Sequence, residues 1–130
     1  MVGVSLALQL AAVLPEGVTI CLVEGYPLPE PVAGGKPDYH PSFDARSTAL
    51  SYSSRLIYEK TGLWDDLQQW LCPIETIHVS SRGHFGSTLL RAVDYDWQAL
   101  GYVVENAWLG SALIQALHRL GRVELRSPAR

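Results

Sequence analysis

The sequence predicts an α/β domain built on a parallel sheet, and three observations carry that prediction. An apolar helix with a glycine in its first turn opens the chain, Met1-Val2-Gly3-Val4-Ser5-Leu6-Ala7-Leu8-Gln9-Leu10. An apolar strand, Val18 to Glu24, follows and ends in a carboxylate. Near the other end an amphipathic helix, Ala107 to Leu120, places Leu109, Leu113, Leu117 and Leu120 on one face and passes through Gly121 into a second strand, Val123 to Arg126. Helices alternating with strands are the pattern of a parallel sheet, because parallel neighbours need a long crossover that a helix supplies.

Composition bounds the class. The chain has 130 residues, 48% hydrophobic and 18% charged, enough for one modest core and not for two. Ten basic residues against thirteen acidic ones give a net charge of -3, and no basic run or aromatic-basic interleaving is present, so no nucleic-acid partner is expected. Val2 to Leu14 is apolar apart from Ser5 and Gln9, but no Lys or Arg precedes it and no small-x-small site closes it, which argues against a secretory signal. Pro15-Glu16-Gly17 reads instead as a helix exit. No other segment approaches the roughly 20 apolar residues of a membrane span. A soluble, cytoplasmic chain is expected, with Cys21 and Cys72 as reduced, buried thiols.

The middle of the chain is less regular. Five of the eight prolines fall between Gly25 and Pro41, so Tyr26 to Phe43 reads as a long irregular connection. Ala45 to Lys60 places Ala49, Leu50, Leu56 and Ile57 for one helical face, with Asp44 or Ser47 as cap and Thr61-Gly62 as its end. A short helix, Leu63 to Leu71, carries Trp64, Leu67, Trp70 and Leu71 until Pro73 stops it. Ile74 to Ser80 and Phe85 to Ala92, separated by Arg82-Gly83-His84, read as a hairpin, and Gly101 to Glu105 as a brief extended piece before the long helix.

The spacing of Gly3 and Glu24 is that of a dinucleotide-binding unit. There, the last glycine of G-x-G-x-x-G lets the first helix pack on the sheet, and an acidic residue about 20 positions on binds a ribose hydroxyl. On this reading the first strand and both phosphate-facing glycines lie upstream of residue 1, and the chain is a fragment. Residues alone leave two choices open. Glu24 is either a ribose ligand or a strand-terminal surface carboxylate. Arg46, expected at a helix N-terminus, is either a phosphate contact supported by the helix dipole or the partner of Asp44 in an ion pair. His40, His78, His84 and His118 have no zinc-ligand spacing, and Ser53-Ser54 and Ser80-Ser81 lack the context of a nucleophile elbow. No metal site and no catalytic side chain are therefore assigned. The tryptophans Trp64, Trp70, Trp97 and Trp108 fall mostly in helical patterns and read as packing residues.

Several segments, in order, carry a resemblance. They are Met1-Val2-Gly3 with its helix, Leu22-Val23-Glu24, Phe43-Asp44-Ala45-Arg46-Ser47-Thr48-Ala49-Leu50-Ser51, Ile77-His78-Val79-Ser80 with Arg82-Gly83-His84, and Leu100-Gly101-Tyr102-Val103-Val104-Glu105-Asn106. Across essentially its whole length the chain resembles the N-terminal part of flavin-dependent aromatic hydroxylases of the p-hydroxybenzoate hydroxylase type. Within that class it is most similar to the ubiquinone-biosynthesis hydroxylases of the 2-octaprenyl-6-methoxyphenol hydroxylase kind. The resemblance implies a partial Rossmann-like FAD-binding domain, residues 1-73 and 101-130, with a hairpin of the substrate domain, residues 74-100, inserted into it.

The activity implied is hydroxylation of a polyprenylated phenol with FAD as cofactor and NAD(P)H and O2 as co-substrates. Gly3 would pack the first helix near the FAD pyrophosphate, Glu24 would bind the adenosine ribose, Arg46 would approach the phosphate or ribityl region, and Asn106 or its neighbours would touch FAD. The resemblance also implies work beside the inner membrane, peripherally or in a ubiquinone-biosynthesis complex, and self-association of the fragment. Another flavin aromatic hydroxylase, or a nucleotide-binding or interaction module without chemistry, remains as an alternative.

Overall fold

A computed structural model describes residues 1-28 and 46-129. Helix α1, Val2–Val13, contains no charged residue and buries Val4, Ala7, Leu8 and Ala11, a spacing of three and four that forms one face. It ends at Leu14, whose backbone is extended ahead of Pro15. Arg122 closes this end from across the chain, donating from Nη1 to the Ala11 carbonyl at 2.7 Å and from Nη2 to those of Leu14 and Pro15 at 3.2 and 3.0 Å. A cation on the last carbonyls of a helix satisfies acceptors that have no partner within it.

Strand β1, Ile20–Val23, is shorter than the expected Val18 to Glu24 and pairs in parallel with the last strand, Val123–Arg126, from Ile20 opposite Val123 to Val23 opposite Arg126. Ile20, Leu22, Val123 and Leu125 pack against the core. Cys21, Val23, Glu124 and Arg126 alternate with them and are exposed. The burial expected of the two thiols is therefore not found. Cys21 takes an outward position of its strand, and Cys72 is also free and exposed.

A second sheet is antiparallel, in the order β2, β6, β3: Ser47–Ser51, Gly101–Glu105 and Cys72–Ile74. The continuous helix expected from Ala45 to Lys60 is corrected here. Its first part is β2, and α2 runs only over Tyr52–Lys60, with the Ser51 hydroxyl accepting from the Ser54 N–H at 3.2 Å as its cap. Ala49 and Leu50 fit a helical face, but Ser47, Thr48 and Ser51 favour it little, and pairing with β6 buries Leu50 to 6% exposure. Beyond α2 lie α3, Trp64–Leu67, and a single 3-10 turn, Gln68–Trp70, in place of one helix to Leu71.

Between β3 and β6 the chain makes the expected hairpin, with strands β4, Thr76–Ser80, and β5, Ser87–Arg91. Every β4 residue is exposed, and of β5 only Leu90 is partly buried. Its base is closed by the Ala92 N–H on the Glu75 carbonyl at 2.8 Å and by the Leu100 N–H on the Ile74 carbonyl at 2.8 Å.

Helix α4, Asn106–Leu120, joins the two sheets. It leaves β6 directly, buries Leu109, Ala112, Leu113, Ala116 and Leu117, and stops at Gly121, whose φ of 64° is left-handed. Strand β7, Val123–Arg126, then follows. The core gathers Val4 and Leu8 from α1, Leu63 and Leu67, and Leu113 and Leu117 around Tyr102 and Val104.

Gly101 is a tight point of this packing. A Cβ there would lie 2.6 Å from the Leu50 carbonyl oxygen, and Ser51 and Ile74 flank it on either side. Gly101→Ala should lower stability by about 1 to 3 kcal/mol, because overpacking against backbone forces strand displacement. Gly121→Ala, which strains φ but meets no atoms, should cost about 1 kcal/mol. Urea midpoints give both values, and a Gly101→Ala protein as stable as the parent would contradict the strand placement.

Candidate site at the carboxyl edge of the parallel strands

The two helices run back along the parallel strands. Arg122, just before β7, grips the C-terminal end of α1, and α4 reaches β7 across Gly121 and Arg122 alone. The N-terminal ends of α1 and α4 therefore point toward the carboxyl ends of β1 and β7. In open α/β sheets that edge is where ligands bind.

Gly3 and Glu24 meet this edge together. A Cβ built on Gly3 would lie 3.4 Å from Leu22 Cδ1, two residues before Glu24. The helix thus lies close on the strand, at ordinary contact distance for an added methyl group. Glu24 extends the parallel ladder: its N–H donates to the Arg126 carbonyl at 3.0 Å, and its carbonyl accepts from the Ala129 N–H at 2.9 Å. Its carboxylate is partly exposed and accepts from the Tyr26 N–H at 3.3 Å. The turn that follows is held by Ser127, whose hydroxyl donates to the Tyr26 carbonyl at 2.7 Å and accepts from the Leu28 N–H at 3.0 Å.

Arg46 and Asn106 form the second pair. The ladder that sets Ser47 opposite Glu105 brings the next residues together, and the Asn106 N–H donates to the Arg46 carbonyl at 2.9 Å. Asn106 is 7% exposed, and its Oδ1 accepts from the Thr48 hydroxyl at 2.5 Å. Arg46 is exposed. It precedes a strand, so the dipole expected to support it is not that of its own segment. The helix end beside it belongs to α4, brought there by the β2–β6 ladder. Asp44, the alternative partner, lies outside the described residues, as does most of the Tyr26 to Phe43 connection.

α1 and α4 have no side-chain hydrogen bond at the N-cap and no acidic residue in the first turn. Helix N-terminal dipoles and a guanidinium suit a diphosphate, and a half-exposed carboxylate accepting from hydroxyl groups suits a ribose. No cluster of possible metal ligands occurs among the described residues. Thr48, which holds Asn106, was not singled out in the sequence because its role depends on a strand that reads as helix. Trp70 stacks on Trp108 in the first turn of α4, with ring centroids 3.5 Å apart, and Trp64 is buried. Trp97 is 41% exposed outside any helix.

Comparison with known proteins agrees with the resemblance. No family model matches the chain. It is 30% identical over 131 residues to the ubiquinone hydroxylase UbiL of Rhodospirillum rubrum, covering all of this chain and 28% of that protein. It is 33% identical over 138 residues to the 3-demethoxyubiquinol 3-hydroxylase of Escherichia coli, covering 98% of this chain and 30% of that protein. The chain thus spans less than a third of the length of these relatives. Along essentially its whole length the chain is similar to one segment of each of these two proteins.

Proposed function

We propose that the chain forms part of the FAD-binding domain of an enzyme that hydroxylates a polyprenylated phenol in ubiquinone biosynthesis. The observations that carry this are the close approach of α1 at Gly3 to the strand that ends at Glu24 and the hydrogen bond that joins Arg46 to Asn106 at the start of α4, in a chain whose relatives are named as ubiquinone-pathway hydroxylases. The donor set fits the adenosine diphosphate half of FAD. Glu24 would hold the ribose, Gly3 would keep α1 near the pyrophosphate, and Arg46, steadied by Asn106, would reach the phosphate or ribityl region. When bound, the flavin would supply the transfer of one oxygen atom from O2 to a phenolic ring, with NAD(P)H as reductant. The residues described here would bind and orient it.

The hairpin supports a division of labour. It pairs only with itself among the described residues and is nearly all exposed, and a lone two-stranded ribbon is marginally stable in water. Residues 74-100 are therefore read as part of the substrate domain, and residues 1-73 and 101-130 as the cofactor domain. No described helix is long and apolar enough to cross a membrane. Access to a lipid-tailed phenol would come from work at the membrane surface or within a ubiquinone-biosynthesis complex.

Arg46→Ala in the intact protein should weaken FAD binding by about one to two decades, the worth of one charge-assisted hydrogen bond of roughly 1.5 to 3 kcal/mol. The unfolding midpoint of the cofactor-free protein should barely move. A variant that retains FAD like the parent would return Arg46 to a surface ion pair. Loss of the gene should also reduce cellular ubiquinone, and unchanged ubiquinone content would sink the pathway assignment.

Residues 1-130 prepared alone should self-associate. Val2, Leu6 and Val13 on the uncharged α1 are 84%, 54% and 77% exposed, and β1 has a strand neighbour on one side only among the described residues. Exposed apolar surface beside an open strand edge recruits other chains. Light scattering checks this; a monodisperse monomer would overturn it.

A further inference from the structure

Arg55 lies on the inner side of α2, far along β2 and β6 from the Arg46–Asn106 pair. Its guanidinium donates to three acceptors: Glu59 Oε1 at 2.7 Å, the Tyr102 hydroxyl at 3.0 Å and Gln98 Oε1 at 3.4 Å. Its Cζ also lies 5.4 Å from the ring centroid of Trp64, 5.8 Å from that of Tyr102 and 6.0 Å from that of Tyr52. Tyr52 stacks in turn on Trp97, with centroids 4.5 Å apart and planes 8° from parallel. The Arg55 side chain is only 21% exposed. The hydrogen bond with Glu59 raises the guanidinium pKa above its usual value, outweighing the lowering by burial, so the charge is permanent.

These contacts span two parts of the chain. Tyr52, Glu59 and Trp64 belong to α2 and α3, whereas Trp97, Gln98 and Tyr102 belong to the segment that returns from the hairpin into β6. That segment closes the hairpin base through the amides of Ala92, Trp97 and Leu100, which donate to Glu75, Ala92 and Ile74.

We infer that Arg55 is a positioning residue, a clamp that fixes the base of the hairpin against α2 and so sets the angle at which the hairpin leaves the cofactor-side sheet. Planar geometry is essential to the role. A guanidinium can lie against rings and donate in a fork at the same time, and an ammonium cannot. The consequence for catalysis rests on the reading above that the hairpin belongs to the substrate domain. Arg55 touches neither the Arg46–Asn106 pair nor Glu24 through any contact described, so it would govern how the ring substrate meets the cofactor while leaving cofactor affinity alone.

Hydrogen exchange on the intact protein tests the clamp. Arg55→Ala, and the milder Arg55→Lys, should speed exchange at the Ala92, Trp97 and Leu100 amides by about tenfold or more, while β1 and β7 amides change less than about twofold, as expected for local opening. No change at these amides, or an equal rise in both regions, would overturn the clamp. Steady-state kinetics on the same variants test the consequence. The KM for the phenol should rise about tenfold, the effect of losing roughly one ring or hydrogen-bond contact, with FAD affinity unchanged. Local exchange accompanied by loss of FAD and an unaltered KM would keep the clamp and refute the assignment of the hairpin to the substrate side.

Discussion

The pairing of β6 with strands on both flanks is the constraint from which the candidate site follows. With β2 on one side and β3 on the other, β6 cannot shift by a residue without turning Tyr102 and Val104 out of the core. Gly101 permits the close approach of β2, where a larger residue would meet the Leu50 carbonyl. Once that register is set, its two ends acquire different tasks. At one end Arg46 meets Asn106 at the start of α4; at the other, Arg55 meets Tyr102 and the hairpin begins.

Helix α4 carries this constraint to the parallel strands. Its first residue is held by Thr48 and the Arg46 carbonyl, and its last turn leads through Gly121 to β7 and so to β1. Arg122 then secures α1 on the same side by its last carbonyls. The result ties Arg46 to Asn106 at the start of α4, and α4 in turn to the strand that pairs with the one ending at Glu24. A carboxylate for hydroxyl donors and a guanidinium for anionic oxygens are the donor set on which the proposed nucleotide site rests. Charge alone would not have indicated it, since the chain carries a net charge of -3.

The elements best legible in the sequence are those whose periodicity and punctuation agree. Helix α4 has an apolar face closed by Gly121, and β7 was read over the residues that form it, Val123–Arg126. The hairpin was legible from its turn residues and two apolar runs. Illegible from local pattern was β2, because Ala49 and Leu50 satisfy a helical stripe and a strand equally, and only the long-range ladder with β6 decides between them. That ambiguity also hid Thr48 and gave Arg46 the wrong local setting, although it left Arg46 beside a helix N-terminus, that of α4. Cys21 was misread for a related reason: an apolar run does not reveal which alternate residues face outward. Arg55 carried no signal, since its aromatic neighbours come from α2, α3 and the hairpin return, gathered only by the fold.

If this edge receives the flavin, hydrogen exchange of the intact protein with and without FAD will show it. Protection should appear together at the first turn of α1, at Glu24 to Tyr26, at Arg46 to Thr48 and at the first turn of α4, while the β4–β5 ribbon changes little. Protection confined to other parts of the protein, with these four stretches unaltered, would contradict the account.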